Sequence, residues 1–229
     1  CTANLSNRQG KNLIINGAMQ VAQRGTSSTT SGYGTVDRFK HTYSGTDEAP
    51  TFSQADVASG TTPYTLGFRK SFKIQNGNQT SGAGASDRVR SQYTLEAQDV
   101  ANSGWNYTSA SSFITLSFWV KSSVAQNFYG RLYSSDGTNY AYSFETGSLT
   151  ADTWTKVTKT ISGNSNLQFD NDNGPGLMIS IGQYIGSDYT TSGHSLDTWA
   201  AWNSSSRYPD FTSTWYTTND ATFEITGVQ

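Results

Sequence analysis

Residues 114–121 read Ile-Thr-Leu-Ser-Phe-Trp-Val-Lys, and this stretch decides the fold class. Large apolar side chains occupy every second position from Ile114 to Val120, and Thr, Ser, Trp and Lys occupy the positions that alternate with them. Successive side chains of a β-strand point to opposite faces, so the pattern predicts a strand with one buried face. Trp119 falls on the nominally outer face.

The residues that follow predict a β-hairpin. Two alternating aromatic runs, 128–133 and 140–145, flank the segment Ser-Ser-Asp-Gly-Thr-Asn, and Asp-Gly between such runs favours a hairpin turn. Only residues 95–102 have helical character, and they predict one short helix. Further strands are predicted at 13–16, 36–43, 68–74, 89–93, 154–161, 177–182 and 222–228.

Many short strands without alternating helices predict an all-β chain. The architecture that accommodates them best is a two-sheet β-sandwich of jelly-roll type with at most one short helix. A length of 229 residues suits one such domain. We therefore interpret residues 1–229 as a single β-sandwich domain, with residues 1–11 as an N-terminal extension.

Composition and charge argue against several classes of partner. Charged residues make up 14% of the chain, aromatic residues 13%, and the net charge is −2. Without a basic stripe, the chain is not expected to bind nucleic acid. It has no apolar run of about 18 residues, so membrane insertion is not expected either. Cys1 is the single cysteine, which excludes an intrachain disulfide and Cys-rich zinc sites.

Residues suited to catalysis or metal binding are few. His41 and His194 are the only histidines, and no serine lies in a Gly-x-Ser-x-Gly elbow, so a Ser-His-Asp site is disfavoured and His194 is interpreted as a solvated turn residue. Residues 170–174 read Asp-Asn-Asp-Asn-Gly, but the Gly comes one position too early for an EF-hand. We interpret this stretch as a turn, and an irregular calcium site using Asp170 and Asp172 stays open. No catalytic residue, metal or cofactor is predicted.

The densest aromatic segment lies near the C-terminal end. Sugars are recognised by aromatic rings that pack on their C–H faces and by amide, carboxylate and guanidinium groups that bond their hydroxyls. The same composition would also suit a loop pinned to the sandwich or a subunit interface. The predicted glycan-binding residues are Trp199, Trp202, Arg207, Tyr208, Asp210, Trp215 and Tyr216.

Two further strings frame the chain. Residues 12–25 read Asn-Leu-Ile-Ile-Asn-Gly-Ala-Met-Gln-Val-Ala-Gln-Arg-Gly, and residues 223–229 read Phe-Glu-Ile-Thr-Gly-Val-Gln. Together with Asp37-Arg38-Phe39 and residues 117–123, they resemble a domain of bacteriophage tail-fibre and related virion proteins. The resemblance covers nearly the whole chain. It departs at Ala22 and Phe39, where family members often carry Trp, and at Gln229, beyond which they usually continue.

The resemblance implies a carbohydrate-binding-module-like sandwich on the virion surface, in a tail fibre or on the capsid exterior. The implied partners are a host cell-surface glycan, other virion proteins and further copies of the chain, with a trimer favoured. Receptor binding without catalysis is the leading hypothesis. A structural virion protein, for capsid decoration or fibre assembly, is the alternative, and a polysaccharide-cleaving enzyme is a third. We also expect the opening and closing strings to be the first and last strands and to lie close in space.

Overall fold

The computed structural model describes residues 12–229, so the predicted extension 1–11 lies outside the described residues. In chain order, the elements of residues 12–229 are β1 (Ser27–Ser28), β2 (Phe39–Ser44), β3 (Thr51–Asp56), α1 (Thr62–Thr65), β4 (Lys70–Gln75), β5 (Arg88–Glu96), α2 (Ala97–Ala101), β6 (Phe113–Ser122), β7 (Asn127–Ser134), β8 (Tyr140–Ser148), β9 (Thr155–Ser162), β10 (Pro175–Ile185), a 3₁₀ turn (Ser187–Tyr189), β11 (Trp199–Ala201), α3 (Thr214–Thr217) and β12 (Thr222–Thr226).

The strands form two antiparallel sheets of six strands each. The first sheet has the order β1-β3-β4-β12-β6-β9, and the second has the order β11-β8-β7-β10-β5-β2. The chain crosses repeatedly between them, for example from β4 to β5, from β5 to β6 and from β6 to β7. Such crossings put sequence neighbours in opposite layers, as in a jelly roll. The predicted all-β, two-sheet sandwich is confirmed.

The alternation that predicted β6 also determines which of its faces is buried. Leu116, Phe118 and Val120 are buried, whereas Trp119 on the other face is only half-buried. The predicted hairpin is formed by β7 and β8, which pair directly. Helix α2 lies inside the predicted helical segment, but residues 12–229 also contain α1 and α3, each four residues long. Helices of one turn are too short to show a 3.6-residue period, so the prediction of at most one helix is too low.

The opening string is a turn rather than the first strand, so that prediction is wrong. Asn16 has a φ of 60°, and its side chain bonds both the backbone N–H and the carbonyl of Val21, which turns the chain back on itself. The predicted proximity of the two strings is nevertheless found, because Val228 N donates to Gly17 O at 3.0 Å. Only glycine fits at position 17, since a Cβ there would collide with the Val228 carbonyl.

The core lies between the inner faces of the two sheets and is largely aromatic. Phe72 and Phe223 of the first sheet and Tyr93 and Phe144 of the second are buried there with their aliphatic neighbours. Each such side chain contributes about 1.5–3 kcal/mol when it is fully removed from water. Within residues 12–229, no helix is long and apolar enough to cross a membrane. The boundary of a single domain at 1–229 stays a prediction.

Candidate functional site: an arginine–aromatic ladder on the second sheet

Residues 186–213, which connect β10 to α3, fold back over the outer face of the second sheet; we call them the covering segment. Its backbone is tied to β8 and the turn before it, because Asp197 N donates to Ser143 O at 2.8 Å and Trp202 N donates to Asn139 O at 2.9 Å. Strand β11, inside this segment, extends the sheet at the β8 edge. The covering segment therefore presents its side chains to a regular β surface.

The strands beneath the covering segment direct arginines toward it. In β5, Val89 is buried, and Arg88 and Arg90 on either side of it point to the opposite face. In β7, Arg131 alternates in the same way with Leu132, which faces the core. Period-two geometry thus brings three arginines from two strands to the outer face of one sheet.

Aromatic rings of the covering segment lie between these guanidinium groups. Arg88 Cζ is 4.5 Å from the centroid of the Tyr189 ring, and Arg207 Cζ is 4.4 Å from the same ring. Arg207 Cζ is also 5.4 Å from the Trp202 ring, and Arg131 Cζ is 4.4 Å from Trp202 and 4.8 Å from Tyr208. We call this set the arginine–aromatic ladder; in spatial order it consists of Arg88, Tyr189, Arg207, Trp202, Arg131 and Tyr208.

The ladder has a simple electrostatic basis. The face of an aromatic ring is negative and attracts a cation within about 6 Å, each contact contributing about 0.5–2 kcal/mol depending on desolvation. Rings placed between the arginines therefore offset part of the repulsion among like charges. Tyr133 holds the Trp202 ring from the side, edge-on, at 4.8 Å between centroids.

Three of the seven predicted glycan-binding residues belong to the ladder. Trp202 and Arg207 are half-buried, so part of each reaches solvent. Tyr208 is fully buried beneath the covering segment, and its hydroxyl bonds Ser180 Oγ of β10 at 3.2 Å. Asp210 is exposed next to the ladder, where its Oδ1 accepts a hydrogen bond from Thr190 Oγ1 at 2.6 Å.

The other three predicted residues lie in the core, away from the ladder. Trp199 closes the side of the sandwich by donating from Nε1 to Ser162 O of β9 at 2.8 Å. Trp215 is fully buried and donates from Nε1 to Thr222 O at 3.1 Å. Tyr216 stacks on Tyr184 at 4.4 Å and is fully buried. These three side chains stabilise the fold and offer no surface to a ligand, so the predicted site narrows to Trp202, Arg207 and Asp210.

Sequence reasoning missed the ladder members outside the aromatic segment. Arg88 does carry a signal, since it and Arg90 flank a buried valine at period two and must share a face. Arg131 has the same alternation within the predicted hairpin. What the pattern could not show is that the outer faces of β5 and β7 lie on one sheet, or that Tyr189 covers Arg88 while Trp202 and Tyr208 cover Arg131.

His194 is held in the covering segment by two serines, which corrects its interpretation as a solvated turn residue. Its Nε2 lies 3.0 Å from Ser143 Oγ, and its Nδ1 lies 3.3 Å from Ser206 Oγ. Burial, followed by the nearby Arg131, lowers the pKa of His194 and favours the neutral imidazole. In a Ser-His-Asp site a carboxylate orients Nδ1, whereas a hydroxyl occupies that place beside this ring.

The acidic stretch at 170–174 forms the turn that was predicted. Gly174 N donates to Asp172 Oδ1 at 2.9 Å, and the Asp170 carboxylate accepts from Gln168 Nε2 at 3.0 Å. No group of three or more His, Cys, Asp or Glu side chains suited to a metal ion occurs within residues 12–229.

A concave cleft lies at one end of the sandwich, apart from the ladder. This cleft has a volume of about 1150 Å³ and is lined by side chains of both sheets, including Leu95 and Leu116, and by Trp105 from the connection between α2 and β6. Asn12, where the described chain begins, borders it. Among residues 12–229, its lining side chains include no arginine or lysine, so the chemistry of this described lining differs from that of the ladder.

No protein-family model matches the chain, and no curated protein matches it. Among solved structures, a family 11 carbohydrate-binding module from Clostridium thermocellum, in complex with a β-1,3-1,4-mixed-linked tetrasaccharide, is 10% identical, with a TM-score of 0.38 and coverage of 89% of this chain and 94% of that one. A candidate sugar-binding protein from Bacteroides thetaiotaomicron is 11% identical, with a TM-score of 0.45 and coverage of 96% and 98%. An exo-β-agarase is 10% identical, with a TM-score of 0.39 and coverage of 82% and 23%. Likenesses this distant carry no argument about function, and the fold assignment rests on the strand pairing itself.

Proposed function

We propose that this chain is a non-catalytic glycan-binding module whose site is the exposed side of the arginine–aromatic ladder. The observation that carries the proposal is the half-exposed Trp202 ring, flanked by two guanidinium groups and set on a β-sheet. A sugar would pack its C–H groups against the solvent-exposed part of the Trp202 ring while N–H groups of Arg207 bond its hydroxyls.

The framework around Trp202 supports binding because it is already ordered. The Trp202 backbone is tied to Asn139, its ring is held by Tyr133, and Arg207 Nε donates to Ser204 O at 2.7 Å. Ordering a mobile side chain costs about 0.5–1.5 kcal/mol on association, and a fixed ring and guanidinium avoid most of that cost.

The test compares two half-buried tryptophans, each lying against a cation, on different sheets. Trp154 is also half-buried and also lies against a cation, Lys121 Nζ at 5.2 Å, but it precedes β9 of the first sheet. We expect Trp202→Ala to weaken binding to glycan-array hits about tenfold or more, and Trp154→Ala to leave it within about twofold. Equal glycan affinity of the wild type and Trp202→Ala would show that the ladder is not the binding site.

The virion-surface role is the finer part of the proposal and rests on the sequence resemblance. We place the chain in a tail fibre or on the capsid exterior, where many weak glycan sites would act together. A trimer would supply such multivalency. Light scattering on the purified chain measures its oligomeric state, and antibody labelling of particles locates it; a monomer that labels no virion would contradict this part while leaving glycan binding intact.

Two alternative functions predict different results from the same variants. A structural virion subunit that uses the ladder as an interface would lose assembly, and retain any glycan binding, when Trp202 is replaced. A polysaccharide-cleaving enzyme would release reducing sugar from host polysaccharide.

A further inference from the structure

The ladder concentrates positive charge on a chain whose overall charge is negative. The net charge is −2, yet Arg88, Arg131 and Arg207 belong to the ladder, and Arg90 adjoins it. Burial lowers the pKa of Arg90 and of Arg207, and the neighbouring arginines lower both further. The geometry agrees, because Arg88 and Arg207 share the Tyr189 ring and Arg207 and Arg131 share the Trp202 ring, which brings like charges close enough to repel one another.

No carboxylate of the described residues neutralises this charge. The ion pairs within residues 12–229 involve Arg38, Lys70, Lys121 and Lys159, and none includes a ladder arginine. Asp210, the predicted acidic member of the site, has Oδ1 bonded to the Thr190 hydroxyl instead. Residues 1–11 contain no Asp or Glu, so they hold no acidic side chain that could serve.

Arg131 is the most unusual member of the cluster. It is 4% exposed, and its Nε and Nη1 have no hydrogen-bond partner among residues 12–229. A buried, unpaired donor on a charged group costs more than about 1–3 kcal/mol. Trp202 and Tyr208 cover these donors, so a ligand does not reach them, but the positive charge of Arg131 lies 4.4 Å beneath the Trp202 ring and would attract an anion at the exposed side of the ladder.

On these grounds, and resting on the proposed function, we infer that the glycan bound at the ladder is anionic: it carries carboxylate or sulfate groups that pair with the half-exposed Arg207 and are attracted by the buried charge of Arg131. Planar guanidinium groups bind such oxyanions through two parallel N–H···O bonds, which neutral hydroxyls cannot match. The rings of Trp202 and Tyr189 would contact the sugar beside each acidic group.

Matched saccharide pairs test this inference by calorimetric titration of the full chain. One pair is dextran and low-mass dextran sulfate; the other is oligogalacturonate and its methyl ester. We expect the anionic member of at least one pair to bind about tenfold or more tightly than its neutral partner. The pair that shows the preference identifies sulfate or carboxylate as the ligand group. The preference should shrink as NaCl rises toward about 0.5 M, because salt screens the charges.

Three variants attribute that preference to the ladder. Arg131→Met and the half-buried Arg207→Gln should each reduce it to about threefold or less. Arg69→Gln is the matched control, since Arg69 is exposed, lies 3.9 Å over the Tyr64 ring and precedes β4 of the first sheet. It removes the same formal charge and should leave the preference unchanged. Arg207→Gln keeps the test decisive if Arg131→Met fails to fold.

The possible results separate this inference from the proposed function. Equal affinity for neutral and anionic saccharides, with both weakened by Trp202→Ala, would overturn the anionic ligand and leave glycan binding in place. An anionic preference that survives both ladder variants, or that Arg69→Gln abolishes, would also overturn it. Binding of single-stranded oligonucleotide in the absence of any saccharide binding would overturn both.

Discussion

At the scale of single residues, side chains of the same type from one segment of sequence can differ greatly in burial. Trp202 and Trp215 lie in the same aromatic segment, but Trp202 is half-exposed over the second sheet and Trp215 is fully buried. Replacing Trp215 with alanine removes core packing, which costs about 3–5 kcal/mol, so that variant reports on folding. Trp202→Ala and Arg207→Gln change half-exposed ladder positions, so these two variants report on binding.

His41 is a second residue whose environment determines its chemistry. It is fully buried, its ring stacks on Phe52 at 3.7 Å, and its Nε2 bonds the Thr30 carbonyl. Nδ1 has no partner among the described residues, so a second ring proton would find no acceptor. Burial lowers the pKa of His41, and the imidazole is held neutral.

The lowered pKa of His41 predicts acid sensitivity. Below its ordinary pKa of about 6.5, the unfolded chain binds a proton that the folded chain does not, so stability is complete above that pH and falls as the pH drops toward the lowered folded value. We expect the free energy of unfolding to fall between pH 7 and about pH 5.5, by at most about 1.4 kcal/mol per pH unit for each histidine. Urea titrations at a series of pH values measure the slope.

Substitutions of the two histidines show which of them causes the pH dependence of the free energy of unfolding. His41→Phe should flatten it, whatever the change in stability at neutral pH. His194→Gln should flatten it less, because His194 is only half-buried. A slope that is the same in His41→Phe and the wild type would contradict the assignment to His41.

At the scale of elements, one acidic side chain joins three strands of the first sheet. Glu224 of β12 is 7% exposed and accepts from Lys121 Nζ of β6 at 2.8 Å and from Ser71 Oγ of β4 at 2.7 Å. Both neighbouring strands thus contribute a donor to one carboxylate. Removing the cation would leave that carboxylate buried and incompletely paired.

We predict that Lys121→Met lowers the free energy of unfolding by about 2–3 kcal/mol, somewhat less than the loss of a fully buried partner. Adding Glu224→Gln should restore most of that loss, because a neutral amide needs no counter-charge. Lys70→Met is the control: its partner Asp56 has 82% of its side chain exposed, and such a pair contributes about 0–1 kcal/mol. Denaturation by urea measures all three, and equal losses for the two lysine variants would refute the burial argument.

At the scale of the whole molecule, the aromatic core couples the two sheets. Phe128 of the second sheet and Phe223 of the first meet at 4.9 Å, and Phe118 of the first sheet lies 6.3 Å from Phe144 of the second. Neither sheet can bury its inner face without the other. The structure therefore favours unfolding as one unit.

Cooperative unfolding tests the predicted single domain. We expect far-UV circular dichroism and tryptophan fluorescence to give the same thermal midpoint, because the tryptophans contact both sheets. Two separated midpoints would instead show that the chain contains independently stable units, and the predicted boundary at 1–229 would then be wrong.

The sequence by itself determined most of the strands and which of their faces are buried. Alternation in β6, in the β7–β8 hairpin and around Val89 is a local property, because neighbouring side chains of a strand point to opposite faces wherever that strand lies. The alternation of apolar and polar residues did not reveal β1, β3 and β11, which were not predicted. The turn at Asn16 depends on a side-chain bond that no periodicity shows.

Only the tertiary structure decided which aromatic residues line a surface and which lie in the core. Trp199, Trp202 and Trp215 lie in one stretch of sequence but differ in burial. Their positions depend on hydrogen bonds to residues far away in the chain, which are Ser162, Asn139 and Gln126 respectively. The ladder likewise joins residues 88, 131, 189 and 207, which meet because strand order places β5 and β7 on either side of β10 and the covering segment folds over all three. Such contacts follow from the packing of layers, a long-range property that local pattern does not encode.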